Sequence, residues 1–169
     1  MNIRRKHWIL IAVLLAILIP FTISYLNYTK LNVSDQYADE FRGKLFKTIY
    51  KQKPFTMDEV TNFAWDQMYV FGPYLPQEHM QQVTGSTWTN NRTYVGYLLG
   101  GLGMDDFPLL DESYHKLVFV NQEKVVLDIT LERYTVDFLS IKELRNTDRT
   151  KLIVEDGTHV KLDYGITDR

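Results

Sequence analysis

The sequence predicts an α+β protein: one N-terminal transmembrane helix, then a single domain with an amphipathic helix and an antiparallel sheet built from hairpins. Three observations predict it. Trp8–Leu26 is almost wholly apolar, with no charged residue between Lys6 and Lys30. Tyr37, Phe41, Leu45 and Ile49 recur every four residues, the spacing of one helix face. Near the C-terminus, Lys151–Glu155, Asp156-Gly157 and Thr158–Tyr164 read as strand, turn and strand. A helix first and strands last, without a βαβ rhythm, belongs to the α+β class.

The first element sets the expected location. Nineteen residues at about 1.5 Å each make roughly 28 Å of helix, close to the hydrocarbon thickness of a bilayer. Arg4, Arg5 and Lys6 all precede the run, so the positive-inside rule puts the N-terminus in the cytoplasm and the rest of the chain outside. Trp8 at one end, with Tyr25 and Tyr28 at the other, fit the interfacial aromatic belts. The alternative is a secreted protein cleaved from a signal peptide: Pro20 interrupts the run, and Thr22-Ile-Ser24 is a weak small-x-small site. Against cleavage, no Ala-x-Ala is present, bulky Tyr25 and Leu26 follow, and the run exceeds a usual signal core of about 7–15 residues. The reading is an uncleaved, single-pass signal-anchor over 8–28, a cytoplasmic stub over 1–7, a tether over 29–34 and an extracytoplasmic domain over 35–169.

Beyond the anchor lie 16 of the 19 Lys and Arg and all 21 Asp and Glu, so this part is acidic by five charges. That argues against nucleic acid or anionic lipid as a partner, because both select clustered positive charge. The chain has no Cys, which excludes disulfides, lipid-modified cysteine and thiol nucleophiles. The core must then hold the domain by itself, and 11 Tyr, 9 Phe and 3 Trp supply the apolar area. A cysteine-free exported protein with a simple anchor fits a Gram-positive cell envelope. Three Asn-x-Ser/Thr sites carry no meaning in a bacterium.

Ser34 and Asp35 are good N-caps, so the amphipathic helix is expected over about 35–51, with Ala38, Phe46 and Tyr50 beside its apolar stripe. Lys47, Lys51 and Lys53 suit its C-terminal end, and Pro54 stops it. Thr56-Met-Asp-Glu59 has the form of a capping box, so a helical turn is expected there. Met68–Phe71 is β-prone and ends at Gly72-Pro73. Pro76 suits the first position of a short helix over Gln77–Thr84, closed by Gly85. Residues 86–113, rich in Gly, Asp and Pro, read mostly as loop, with a strand conceivable over Thr93–Leu99. Leu117–Val120 and Val125–Leu131 form a hairpin around Asn121–Lys124.

The most distinctive segment is Trp65-Asp-Gln-Met-Tyr-Val-Phe-Gly-Pro-Tyr74. It reads as a strand running into a turn. Trp65, Gln67, Tyr69 and Phe71 fall on one strand face, and Asp66, Met68 and Val70 on the other. The plainer reading makes the aromatics core and Asp66 a turn-binding carboxylate. The functional reading makes Trp65, Asp66, Tyr69 and Tyr74 a groove for an extended Pro-rich or sugar chain. The decapeptide resembles a segment of small, uncharacterised bacterial envelope proteins with a single N-terminal apolar segment, followed by a hairpin of the Leu-Val-Phe-Val…Val-Val type, matched here by Leu117–Val120 and Val125-Val126. The resemblance covers about residues 60–135. It implies an envelope location and one domain, and it carries no activity and no catalytic residues.

Other chemistry is weakly signalled. His7, His79, His115 and His159 lack the spacing of a zinc motif. Asp105, Asp106, Asp111 and Glu112 make an acidic stretch without the EF-hand pattern. Gly100-Gly-Leu-Gly103 lacks the Gly-Lys-Ser/Thr ending of a P-loop, and no Gly-x-Ser-x-Gly is present. No metal, cofactor or catalytic residue is therefore expected. The expected function is an accessory or binding module of the envelope, with a protein or wall-polymer partner. The alternatives are an extracytoplasmic hydrolase with an unrecognised site and a scaffolding subunit of a membrane complex.

Overall fold

The computed structural model describes residues 3–101 and 108–163. The fold is α+β, with four α-helices and two antiparallel sheets among these residues. The chain forms two compact units: Met1–Asn32 with Asn91–Asp105, and Val33–Asn90 with Asp106–Arg169.

In the first unit, α1 (Ile3–Leu31) is one continuous helix of 29 residues. It is long and apolar enough to cross a membrane, and its apolar side chains are exposed along nearly its whole length. Pro20 lies inside it and removes one backbone donor, a local defect in an otherwise strong helix former. Its two threonine hydroxyls are satisfied within the helix: Thr22 Oγ1 donates to the Leu18 carbonyl at 2.8 Å and Thr29 Oγ1 to that of Leu26 at 2.9 Å. The helix passes the expected end at 28 and absorbs half of the expected tether, because Asn27–Leu31 contains neither Gly nor Pro.

The second element of this unit is α4 (Tyr94–Gly100), where a strand or loop is expected. Two local features decide for helix. Thr93 is extended, and its Oγ1 accepts the Gly96 N–H at 3.1 Å, an N-cap. Tyr94 and Tyr97, three residues apart, share one face and stack at 6.2 Å between ring centroids. That face meets α1, where Tyr94 lies edge-on to Phe21 (5.2 Å) and Tyr25 (5.3 Å), and Tyr97 lies 5.5 Å from Tyr28. The Tyr28 hydroxyl donates to the Asn91 carbonyl at 3.1 Å.

The second unit opens with a 3₁₀ turn (Asp35–Tyr37), N-capped by Ser34, that leads into α2 (Ala38–Tyr50). Phe41, Leu45 and Ile49 are its buried stripe, as the four-residue spacing predicts, while Tyr50 is 90% exposed. The capping box forms: Thr56 N–H donates to Glu59 Oε1 at 3.0 Å and opens a 3₁₀ turn at Met57–Glu59. In α3 (Gln77–Thr84), Pro76 is the N-cap residue rather than the first helical one, and Gly85 closes the helix at φ 67°.

The larger sheet has β2 (Gln67–Phe71), β3 (Tyr114–Asn121), β4 (Lys124–Glu132) and β5 (Glu143–Arg145) in the order β4-β3-β2-β5. The smaller has β1 (Phe55–Thr56), β6 (Lys151–Glu155) and β7 (His159–Leu162) in the order β1-β6-β7. The β6–β7 turn has Asp156 at φ 51° and Gly157 at φ 81°, as Asp-Gly predicts. The Tyr164 end of that expected strand, and Gly103, Asp105 and Asp106, lie outside the described residues.

The larger sheet is buried on both faces, which explains the unbroken apolar run of β3. Leu117 and Phe119 point into one core with Met68, Trp65, Phe41, Leu45, Leu127 and Phe138. Val118 and Val120 point into the other with Tyr69, Phe71, Met80 and Trp88. Trp65 therefore sides with Met68, not with Tyr69 as strict alternation predicts. The strand begins only at Gln67, and the bend before it breaks the two-residue period.

Candidate functional site

The decapeptide is split by the sheet. Trp65 is 5% exposed, edge-on to Phe119 at 5.7 Å, and its Nε1 donates to Thr61 Oγ1 at 3.3 Å. Tyr69 is 8% exposed on the opposite face, stacked on Phe71, with its hydroxyl donating to Gln67 Oε1 at 2.5 Å. Burial, and then the Glu143 charge, hold its phenol above the usual value. Tyr74 is exposed beyond the Gly-Pro turn at φ 64°, rare for an aromatic, and its N–H donates to the Leu109 carbonyl at 2.6 Å. Partial desolvation, and then Glu112, raise its pKa. Trp65 and Tyr69 thus meet no common groove.

Asp66 binds a turn, though not the one that follows it in sequence. Its Oδ2 accepts the Gln122 N–H at 2.7 Å, its N–H donates to the Val120 carbonyl at 2.8 Å, and its own carbonyl accepts from Asn146 N–H at 2.9 Å. The β3–β4 turn that it grips has Gln122 at φ 48° and Glu123 at φ 62°. These are the positive angles of a type I′ turn, here held by residues without glycine's freedom. A charge-assisted bond from Asp66 offsets part of that strain.

Beside this turn lies an open depression of about 420 Å³. Asp66 and Gln67 line it from the start of β2, Gln122 and Glu123 from the turn, and Arg145 and Thr147 from the end of β5 and beyond. Its lining residues are mostly amide, hydroxyl and charged ones, but the surface they present to it is largely their apolar stems, so it is a shallow amphipathic groove with hydrogen-bonding groups along it rather than an enclosed small-molecule cavity. On the other side of Arg145, a cleft reaching Trp65 and Arg149 has only about 10 Å³ of free space, room for one water at most. The depression is the candidate site. Of the four residues expected from the sequence, it contains Asp66 alone.

Two buried polar groupings escape sequence reasoning. On one face of the sheet, Lys116 Nζ lies 2.6 Å from Asp128 Oδ1, both side chains almost fully buried. Trp88 Nε1 and Asn90 Nδ2 donate to Asp128 Oδ2 at 2.7 and 2.6 Å. Lys116 precedes the apolar run of β3 and Asp128 sits between Leu127 and Ile129, and nothing near them in the sequence marks them as a buried pair. The 85–90 segment turns their face of the sheet inward. At the end of β4, Asp137 takes Arg133 Nε and Nη2 on Oδ2, each at 3.0 Å, and the Leu139 N–H on Oδ1 at 2.9 Å. His159 Nε2 approaches the same carboxylate at 3.9 Å. His115 is wholly buried against Phe138, and neither ring nitrogen makes a well-formed hydrogen bond among the described residues. Desolvation lowers its pKa to about 4, against an opposing pull from Asp137.

Among the described residues, no three His, Asp or Glu side chains gather as metal ligands would. No protein-family model matches this chain, and neither does any curated protein or solved structure.

Proposed function

We propose that this chain is a single-span, membrane-anchored binding module of a bacterial cell envelope. Its N-terminus lies in the cytoplasm, and its folded unit lies outside, where the depression beside the β3–β4 turn takes an extended polar partner, a protein segment or a wall polymer. The observation that carries the anchor is α1 itself: 22 uncharged residues from Trp8 to Thr29, apolar side chains exposed, with Arg4, Arg5 and Lys6 clustered before the run against the single Lys30 just after it. Cleavage near Thr22-Ile-Ser24 would remove Phe21 from beneath Tyr94, so the ring contacts of α4 favour retention over secretion. The resemblance of Trp65–Tyr74 to envelope proteins agrees with this location. Binding is favoured over hydrolysis because the buried ionised groups are engaged with one another, while the open depression offers varied hydrogen-bonding groups.

A photo-crosslinking residue at Thr147, in intact cells, tests the site. The expected result is a discrete crosslinked product that disappears with Arg145→Glu and is absent when the crosslinker replaces Tyr50. Identical products from both positions would count against the depression. The same cells test the anchor: full-length chain should stay in membranes after a high-salt wash, whereas a mature chain starting near Tyr25 in the medium would overturn it.

A further inference from the structure

We propose that α4 is a second membrane-contacting element, lying at the acyl boundary of the outer leaflet against the end of α1, with phospholipid as the occupant of its free face. The inference rests on the anchor reading and extends it to a segment more than 60 residues away in sequence.

The argument is one of depth. Tyr94 touches Phe21, Tyr25 and Tyr28, and its hydroxyl reaches the Phe21 carbonyl at 3.4 Å. Phe21 lies nine residues before Lys30, the first charge after the apolar run, which is about 13 Å along a helix axis. The 22 uncharged residues make about 33 Å of helix against a hydrocarbon core of about 30 Å. Little of the run can therefore rise above the core, and a ring seated on Phe21 sits at or below its outer edge.

The composition of α4 suits that depth. Thr93–Gly101 carries no charge. One face gives its tyrosines to α1; Val95 (64%) and Leu99 (44%) on the other face, and Leu98 (38%) beside Tyr94, stay exposed. Phe21 and Tyr25, the α1 rings against which Tyr94 rests, are themselves about half exposed. Tyrosines with an apolar body and one polar tip are the residues enriched at this level of a bilayer. At its N-terminal end, Thr93 caps the first turn.

The chain has no Cys, so single cysteines can carry spin labels without background. Full-length protein in phosphatidylglycerol–phosphatidylethanolamine vesicles is labelled at Val95→Cys or Leu98→Cys. Val13→Cys serves as the mid-anchor reference and Tyr50→Cys as the aqueous one. At Val95 and Leu98, collisions with oxygen should exceed those with a water-soluble nickel chelate, as at Val13, and the order should reverse at Tyr50. Nickel-dominated collisions at Val95 and Leu98, with Val13 still oxygen-dominated, overturn this proposal and leave the anchor standing. Labels shielded from both reagents also overturn it, because protein then covers the face. A nickel-accessible Val13 removes the anchor and this inference together.

Discussion

At the residue scale, His115 is the group whose chemistry is most altered by the fold. It is neutral in the folded state down to about pH 4 and titrates near 6.5 when unfolded. Below pH 6.5 the unfolded chain therefore binds a proton that the folded one refuses, and stability falls with falling pH. The loss is spread between pH 6.5 and about 4, is complete below that, and amounts to about 3 kcal/mol. Urea unfolding from pH 7.5 to 4 should show this decline, and His115→Leu should flatten it. At pH 7 the same variant should be no less stable than the parent by more than about 1 kcal/mol, because it removes two poorly bonded buried nitrogens along with the ring. An unchanged pH slope in His115→Leu would assign the decline to other groups.

The element scale is where the decapeptide finds its meaning. β2 divides two cores, so Trp65→Ala and Tyr69→Ala should each cost about 3–5 kcal/mol, either one a large share of the roughly 5–15 kcal/mol of a domain this size. Since the two rings belong to different clusters, their effects should be independent. The milder pair Trp65→Phe and Phe71→Leu should add within about 0.5 kcal/mol in a double-mutant cycle, and strong coupling would contradict the two-core division. The β3–β4 turn gives the opposite sign. Gln122 and Glu123 hold left-handed angles that Asn-Gly adopts with less strain, so Gln122→Asn with Glu123→Gly should stabilise by about 1–2 kcal/mol, read as a raised urea midpoint. If that pair also weakens crosslinking from Thr147 in cells, the strained turn serves the depression; if capture is unchanged, its side chains are dispensable there.

For the whole molecule, neither core cluster contains a residue before Val33. A fragment over 33–169 should melt cooperatively, unaffected by EDTA, with far-ultraviolet circular dichroism as the readout. Without α1, the Tyr94 and Tyr97 rings lose their partners beside Val95 and Leu98. The fragment should therefore self-associate in sedimentation, and serine at Tyr94, Val95 and Leu98 together should return it to monomer. A broad melt would show that the fold needs the N-terminal helix.

The sequence by itself determined whatever depends on near neighbours. The charge-free run made α1 (Ile3–Leu31), the four-residue spacing of Phe41, Leu45 and Ile49 made α2, Thr56 and Glu59 made their capping box, and Asp156-Gly157 made its turn. In each the deciding residues lie within a few positions, so the physics is local. The tertiary structure decided what depends on a covering element. Lys116 and Asp128, two charges that would ordinarily face water, became a buried pair only beneath Trp88 and Asn90. The face shared by Tyr94 and Tyr97 is covered only where it meets Phe21 and Tyr25. Asp66 turned to grip Gln122, 56 positions away. A period in the chain states which residues share a face; the face is dry or wet according to what the rest of the chain brings to it, and burial free energy is settled only there.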